Sequence, residues 1–62
     1  MDPRVEGGRY YSGYWAEEYE VLAVHPGPHC YSGTCWTVRW AGGRTTHHAT
    51  AWEPRRDRVI GE

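Results

Sequence analysis

Residues 35–40, Cys-Trp-Thr-Val-Arg-Trp, and residues 45–52, Thr-Thr-His-His-Ala-Thr-Ala-Trp, read as the two arms of one tight β-hairpin. They are joined at Ala41-Gly42-Gly43-Arg44. A Gly-Gly pair between β-rich runs signals a short turn, because both central residues of a type I′ turn need φ > 0. With Gly42-Gly43 as a two-residue turn, Ala41 faces Arg44, Trp40 faces Thr45, Val38 faces His47 and Trp36 faces Ala49. One face then carries Trp36, Val38, Trp40, Thr45, His47 and Ala49. The other carries Cys35, Thr37, Arg39, Thr46, His48 and Thr50. Continued along the chain, the alternation puts Trp52 on the outer face with His48, so Trp52 is expected at a binding surface.

A chain of 62 residues forms one domain with a marginal core; such a domain buries only about 60% of the surface its unfolded chain exposes. Aliphatic side chains are few: Val5, Val21, Leu22, Val24, Val38, Val59 and Ile60. Four Trp and five Tyr therefore supply much of the apolar area, at roughly 150–250 Å² each. The net charge is −1, and all seven basic residues are Arg. No global positive field attracts nucleic acid, so such binding would need a local Arg patch. No apolar run approaches the roughly 20 residues of a membrane span, and no signal peptide follows Met1, so a cytoplasmic protein is expected.

Residues 1–8, with Pro3 and Gly7-Gly8, read as a flexible tail ahead of a domain over 9–62. Residues 9–11 are a short strand, broken by Ser12-Gly13. Residues 14–18 form a loop with two exposed aromatics, or one helical turn. Residues 19–25 are the best single strand, stopped by Pro26-Gly27-Pro28. A loop leads to the hairpin. Residues 53–57 suggest a single helical turn, since Pro54 pre-sets φ at a first helical position; residues 58–60 make the last strand. The core is expected on Val21, Ala23, Trp36, Val38, Trp40, Ala49 and Ile60, with Tyr10-Tyr11 closing one side. The fold class is all-β, about five strands with one short helical turn before the last.

This succession resembles the small SH3-like barrels, the group that includes Tudor, chromo-like and KOW modules. The resemblance rests on element order, on the hairpin over 36–44 and on the turn at Pro54. The chain is also similar to short proteins of high-GC bacteria and their bacteriophages, through Tyr10-Tyr11, Gly13-Tyr14-Trp15 and His48-Ala49-Thr50-Ala51-Trp52. The resemblance implies an SH3-like barrel; a chain this small rarely shapes a catalytic pocket, so a non-enzymatic binding module is expected.

Three residue sets could carry function. Cys30 and Cys35 flank a four-residue connection and could sit at disulfide distance, although in a reducing cytosol two free thiols are expected. Cys30, Cys35, His29 and His47 are the weak candidates for a zinc staple, because zinc takes four N/S donors from closely spaced pairs. No other cofactor is implied. The aromatics outnumber what one small core can hide, and exposed rings mark interfaces. Tyr11, Tyr14, Trp15, Arg39, His48, Trp52, Arg55 and Arg56 are thus the candidate partner-binding residues, engaging a protein. The alternative is a nucleic-acid module using Arg39, Arg44, Arg55, Arg56 and Arg58 with Trp52. An edge strand could also pair two copies into a homodimer.

Overall fold

The computed structural model describes residues 2–26 and 34–61. Five strands form one antiparallel sheet: β1 (Arg9–Ser12), β2 (Glu17–Pro26), β3 (Thr34–Trp40), β4 (Thr45–His48) and β5 (Arg58–Gly61). Their order is β4-β3-β2-β1-β5, so four strands meander and the fifth returns to pair with β1. The sheet is open, with β4 and β5 at its edges. The all-β class is therefore as expected. The expected helical turn is not a helix: Glu53 O accepts from Arg56 N at 2.9 Å and Asp57 N at 2.7 Å, closing an isolated turn.

The hairpin exists, but its register differs by one residue. Gly43 N donates to Trp40 O at 2.8 Å and Trp40 N to Arg44 O at 2.9 Å, enclosing three loop residues, not two. Only Gly43 has positive φ in this loop, at 95°. This is the three-residue hairpin built from a type I turn and one left-handed residue. The pairs become Arg39 with Thr45, Val38 with Thr46, Thr37 with His47 and Trp36 with His48. Since side chains alternate with period two, one residue of slip turns the whole of β4 over. Thr46 and His48 join the core face, while Thr45 and His47 face outward. Trp40 Nε1 donates to Thr46 Oγ1 at 2.5 Å, a bond the other register would lose.

The core comprises Tyr10, Tyr19, Val21, Trp36, Val38 and Trp40, with Val24 and Trp52 packed against it. Val24 reaches it through a bulge: the register shifts between Val21 and Ala23, so the inward phase passes from Val21 to Val24. Three expected core residues lie outside it: Ala23, which the bulge turns to the outer face opposite Thr37, Ala49 and Ile60. Ala49 is exposed beyond the end of β4, and Ile60 is 43% exposed on the edge strand.

Residues 2–8 cross the core face and are bonded to the sheet, contacts that composition did not suggest. Gly7 N donates to Val21 O, and Val21 N to Gly8 O, extending the β1–β2 ladder. The Tyr10 hydroxyl accepts from Val5 N at 2.8 Å and donates to Pro3 O at 3.2 Å. Gly8 admits no side chain, because a Cβ there would overlap the Tyr10 ring. Arg4, its side chain 1% exposed, lies with its guanidinium 3.5 Å from the Trp36 ring centroid.

Candidate functional site

The sequence-derived site residues separate: His48 and Trp52 join the core, Arg39 stays on the outer face of β3, and the others gather at the tip of the β1–β2 hairpin. Four residues, Gly13 to Ala16, close that hairpin between the Ser12–Glu17 pair. Ala16 takes a left-handed φ of 55°, and Ser12 Oγ accepts from Trp15 N at 3.2 Å. Tyr14 and Trp15 stand at the tip, 61% and 55% exposed. Their rings meet edge to face at 4.9 Å, a favoured aromatic geometry.

Asp57 anchors this tip from the far end of the chain. Its Oδ1 accepts from Gly13 N and its Oδ2 from Glu53 N, each at 2.9 Å. Arg56 adds a bond from Nε at 3.2 Å. Burial works against the charge of Asp57, but the Arg56 guanidinium and the two backbone N–H groups outweigh it and hold the carboxyl below its usual range. A Cβ at Gly13 would overlap the side chain and backbone of Arg56, so the close approach of turn and tip requires glycine. The Arg56 guanidinium also lies 5.5 Å from the Tyr14 ring centroid, within cation–π range.

Two grooves flank the tip. One, of about 330 Å³, runs from Trp15 to Trp40, Arg44, Thr46, His47 and Ala49. The other follows Tyr11, Gly13, Arg56, Arg58, Val59 and Ile60 along β5. The half-buried Tyr11 and the arginine-bearing turn thus adjoin the tip, with Arg55 exposed on that turn.

Three candidates sit elsewhere. Arg39 lies on the outer face of β3, paired with Glu20. Trp52, expected outside, is half-buried, its ring packed edge-on against Tyr10 at 5.9 Å. His48, also expected outside, is only 5% exposed. Its ring meets Tyr19 at 5.1 Å, Trp40 at 5.3 Å and Trp36 at 6.4 Å. Burial, reinforced by the Arg4 charge, pushes its pKa down to about 4. The register slip accounts for His48: it belongs to the face with Trp36 and Trp40 after all. Trp52 follows the same phase beyond β4.

Sequence reading missed Arg4 and Asp2. Asp2 takes bonds from Arg4 N, Nε and Nη2 at 3.0, 2.9 and 2.7 Å. Burial disfavours the charge on each, yet their bonds to each other prevail, so Asp2 is held below and Arg4 above its ordinary value. Arg4 also lies 5.6 Å from the Trp52 ring centroid. The Asp-Pro-Arg spacing that allows the clasp is visible in the sequence, but nothing there points it at Trp36.

The zinc candidates do not assemble among the described residues. Cys35 is a half-cystine, not the free thiol expected in the cytosol, and so cannot serve as a thiolate ligand. His29 and Cys30 lie outside the described residues. No group of three or more His, Cys, Asp or Glu among the described residues is placed to hold a metal. Among the same residues no helix is long and apolar enough to cross a membrane.

A scan against protein-family models, a search of curated proteins and a search of solved structures each found no match to this chain.

Proposed function

We propose that this domain is a non-enzymatic binding module that engages a protein partner through the Tyr14–Trp15 tip, with Arg56 and the neighbouring Tyr11 and Arg55 at its margin. One observation carries this reading. Two large aromatic rings are held exposed on a hairpin whose backbone is fixed from both sides, by Ser12 and by Asp57. Exposing such rings forgoes the burial that a small core needs, and rigid aromatics are the usual anchors of interfaces. We further place the fold with the SH3-like modules, because β5 returns to β1 after a four-strand meander.

Four of the six residues of the nucleic-acid reading are already engaged, leaving Arg55 and Arg58 exposed. Arg39, Arg44 and Arg56 each pair with a carboxylate, and Trp52 packs on the core. Affinity capture from the native host, with nuclease added, separates the two. The wild-type chain should retain one stoichiometric protein, and the doubly substituted Tyr14→Ala, Trp15→Ala chain should lose it with an unchanged melting curve. Loss of every partner on nuclease treatment, or equal capture by the double variant, would overturn the proposal.

A further inference from the structure

The two edges of the open sheet are finished differently. β4 is Thr-Thr-His-His, and only Thr45 and His47 are exposed on it. β5 shows solvent three consecutive side chains: Arg58, then Val59 at 49% and Ile60 at 43% exposure. Apolar residues on an outermost strand are a liability, because the unpaired backbone beside them recruits another strand. Here they border a groove of about 640 Å³. Across it runs the register row Glu18, Tyr11, Arg58, one residue from each of β2, β1 and β5. Arg58 has no carboxylate partner among the described residues, whereas Arg39, Arg44 and Arg56 each have one. Its neighbour Asp57 is taken up by Gly13, Glu53 and Arg56.

We propose that an extended, acidic segment of the protein partner docks in this groove, laid along the free edge of β5 with a carboxylate on Arg58 and apolar side chains on Val59 and Ile60. Such docking presupposes the protein partner proposed for the tip and adds the chemistry of what binds. An extended chain fits because β5 ends the sheet and has no strand beside its outer edge among the described residues. An added strand takes main-chain hydrogen bonds from such an edge and specificity from its alternate side chains. The register shift between Arg9 and Tyr10 leaves Ile60 opposite no residue of β1, and a bulge of this kind bends the strand. The paired stretch is therefore short, and side chains carry the recognition. An acidic segment fits because Arg58 is unanswered, and a guanidinium takes a carboxylate through two parallel bonds. Gly13 and Arg56 join the groove to the tip, so the same partner can meet Tyr14 and Trp15.

The probe is an end-blocked peptide, Thr-Val-Glu-Val-Glu-Thr, titrated into the full chain and followed by NMR, beside the same peptide with Lys in place of Glu. The acidic peptide should shift the amides of Tyr11 and of Arg58 to Gly61 and leave those of β4 in place. Arg58→Glu should weaken it about tenfold or more and admit the lysine peptide instead. Ile60→Thr, which keeps a branched side chain suited to a strand, should weaken it about fivefold. Thr45→Glu, an acid added to the other edge, should stay within about twofold of wild type. All three positions are exposed, and melting curves without peptide check that the variants keep the fold. Absence of shifts, shifts confined to β4, equal binding of the two peptides, or unchanged affinity in Arg58→Glu overturns the groove. Tighter binding of an oligothymidylate than of the acidic peptide overturns it too. Peptide docking on β5 with no protein captured from the host supports the groove and overturns the tip alone. Host capture that Arg58→Glu keeps in full and the tip double variant loses overturns the groove alone.

Discussion

The same two residue types, arginine and tryptophan, meet opposite fates in two parts of this molecule. In the slot formed by Arg4, Trp36 and Trp52, the guanidinium is enclosed, clasped by Asp2 and laid on an indole. At the tip, Arg56 flanks Tyr14 while Tyr14 and Trp15 face solvent. In the slot the aromatic area is spent on folding, and the charge is tolerated only because Asp2 supplies its hydrogen bonds. At the tip the backbone is held by Asp57 and Ser12, and the rings are left free. Residue type alone therefore does not mark a binding surface; what marks it is a ring that the fold supports but does not cover.

The largest effect should come from emptying the slot. Trp36→Ala is expected to cost about 3–5 kcal/mol, enough to unfold much of so small a domain at room temperature. Trp15→Ala should stay within about 0.5 kcal/mol of wild type. Urea titration followed by circular dichroism checks both, and similar losses would erase the distinction between slot and tip.

Acid sharpens it next. His48 is neutral inside the aromatic box, with a folded pKa of about 4 against 6.5. Its contribution is complete above pH 6.5 and is lost as pH falls towards 4. At 1.36 kcal/mol per unit this is about 3 kcal/mol. His48→Leu should flatten stability against pH across that window, and an unchanged slope would show that His48 is not the titrating group. Asp2 and Asp57, held below the usual carboxyl range, lose their contributions only below about pH 3.8.

Cutting the anchor while leaving the rings should have a smaller effect. Asp57→Asn keeps the shape but replaces one acceptor oxygen with a donor, and should cost about 2 kcal/mol. The Gly13 and Glu53 amides should then exchange with solvent faster than those of β3, and uniform acceleration would deny Asp57 its local role. Smaller than the loss of the anchor, Gly43→Ala forces a side chain into positive φ with no clash, for about 1 kcal/mol. Its melting temperature should drop while capture of the tip's partner stays unchanged.

Much of this fold could be read from the chain. Residues 9–11, 19–25, 35–40 and 58–60 all fall within observed strands, because β-branched and aromatic runs bounded by Gly and Pro leave few other choices. Tyr14 and Trp15 were recognisable as an exposed pair by their place between Gly13 and two glutamates. Arg4 was not: a Pro- and Gly-containing segment looks mobile until the surface it lies on exists. His48 and Trp52 were assigned to the wrong face by a single assumption about turn length. The bulge at Leu22 was likewise invisible, since β2 alone does not say where its inward phase changes.

The glycine pair between two β-rich arms determined by itself that a hairpin forms, and the aromatic content determined what its core is made of. Tertiary structure decided the register. Two-residue and three-residue turns are both open to Ala41-Gly42-Gly43, and the local chain does not distinguish them. The choice is settled at a distance. Ala41 N bonds to Glu18 O at 2.9 Å, and Glu17 pairs with Arg44 at 2.7 Å and accepts from Gly42 N at 3.3 Å. Thr46 also meets the Trp40 indole. Because side chains in a strand alternate, that one residue of slip carries His48 from the solvent face into the aromatic core and leaves His47 beside His25 on the outside.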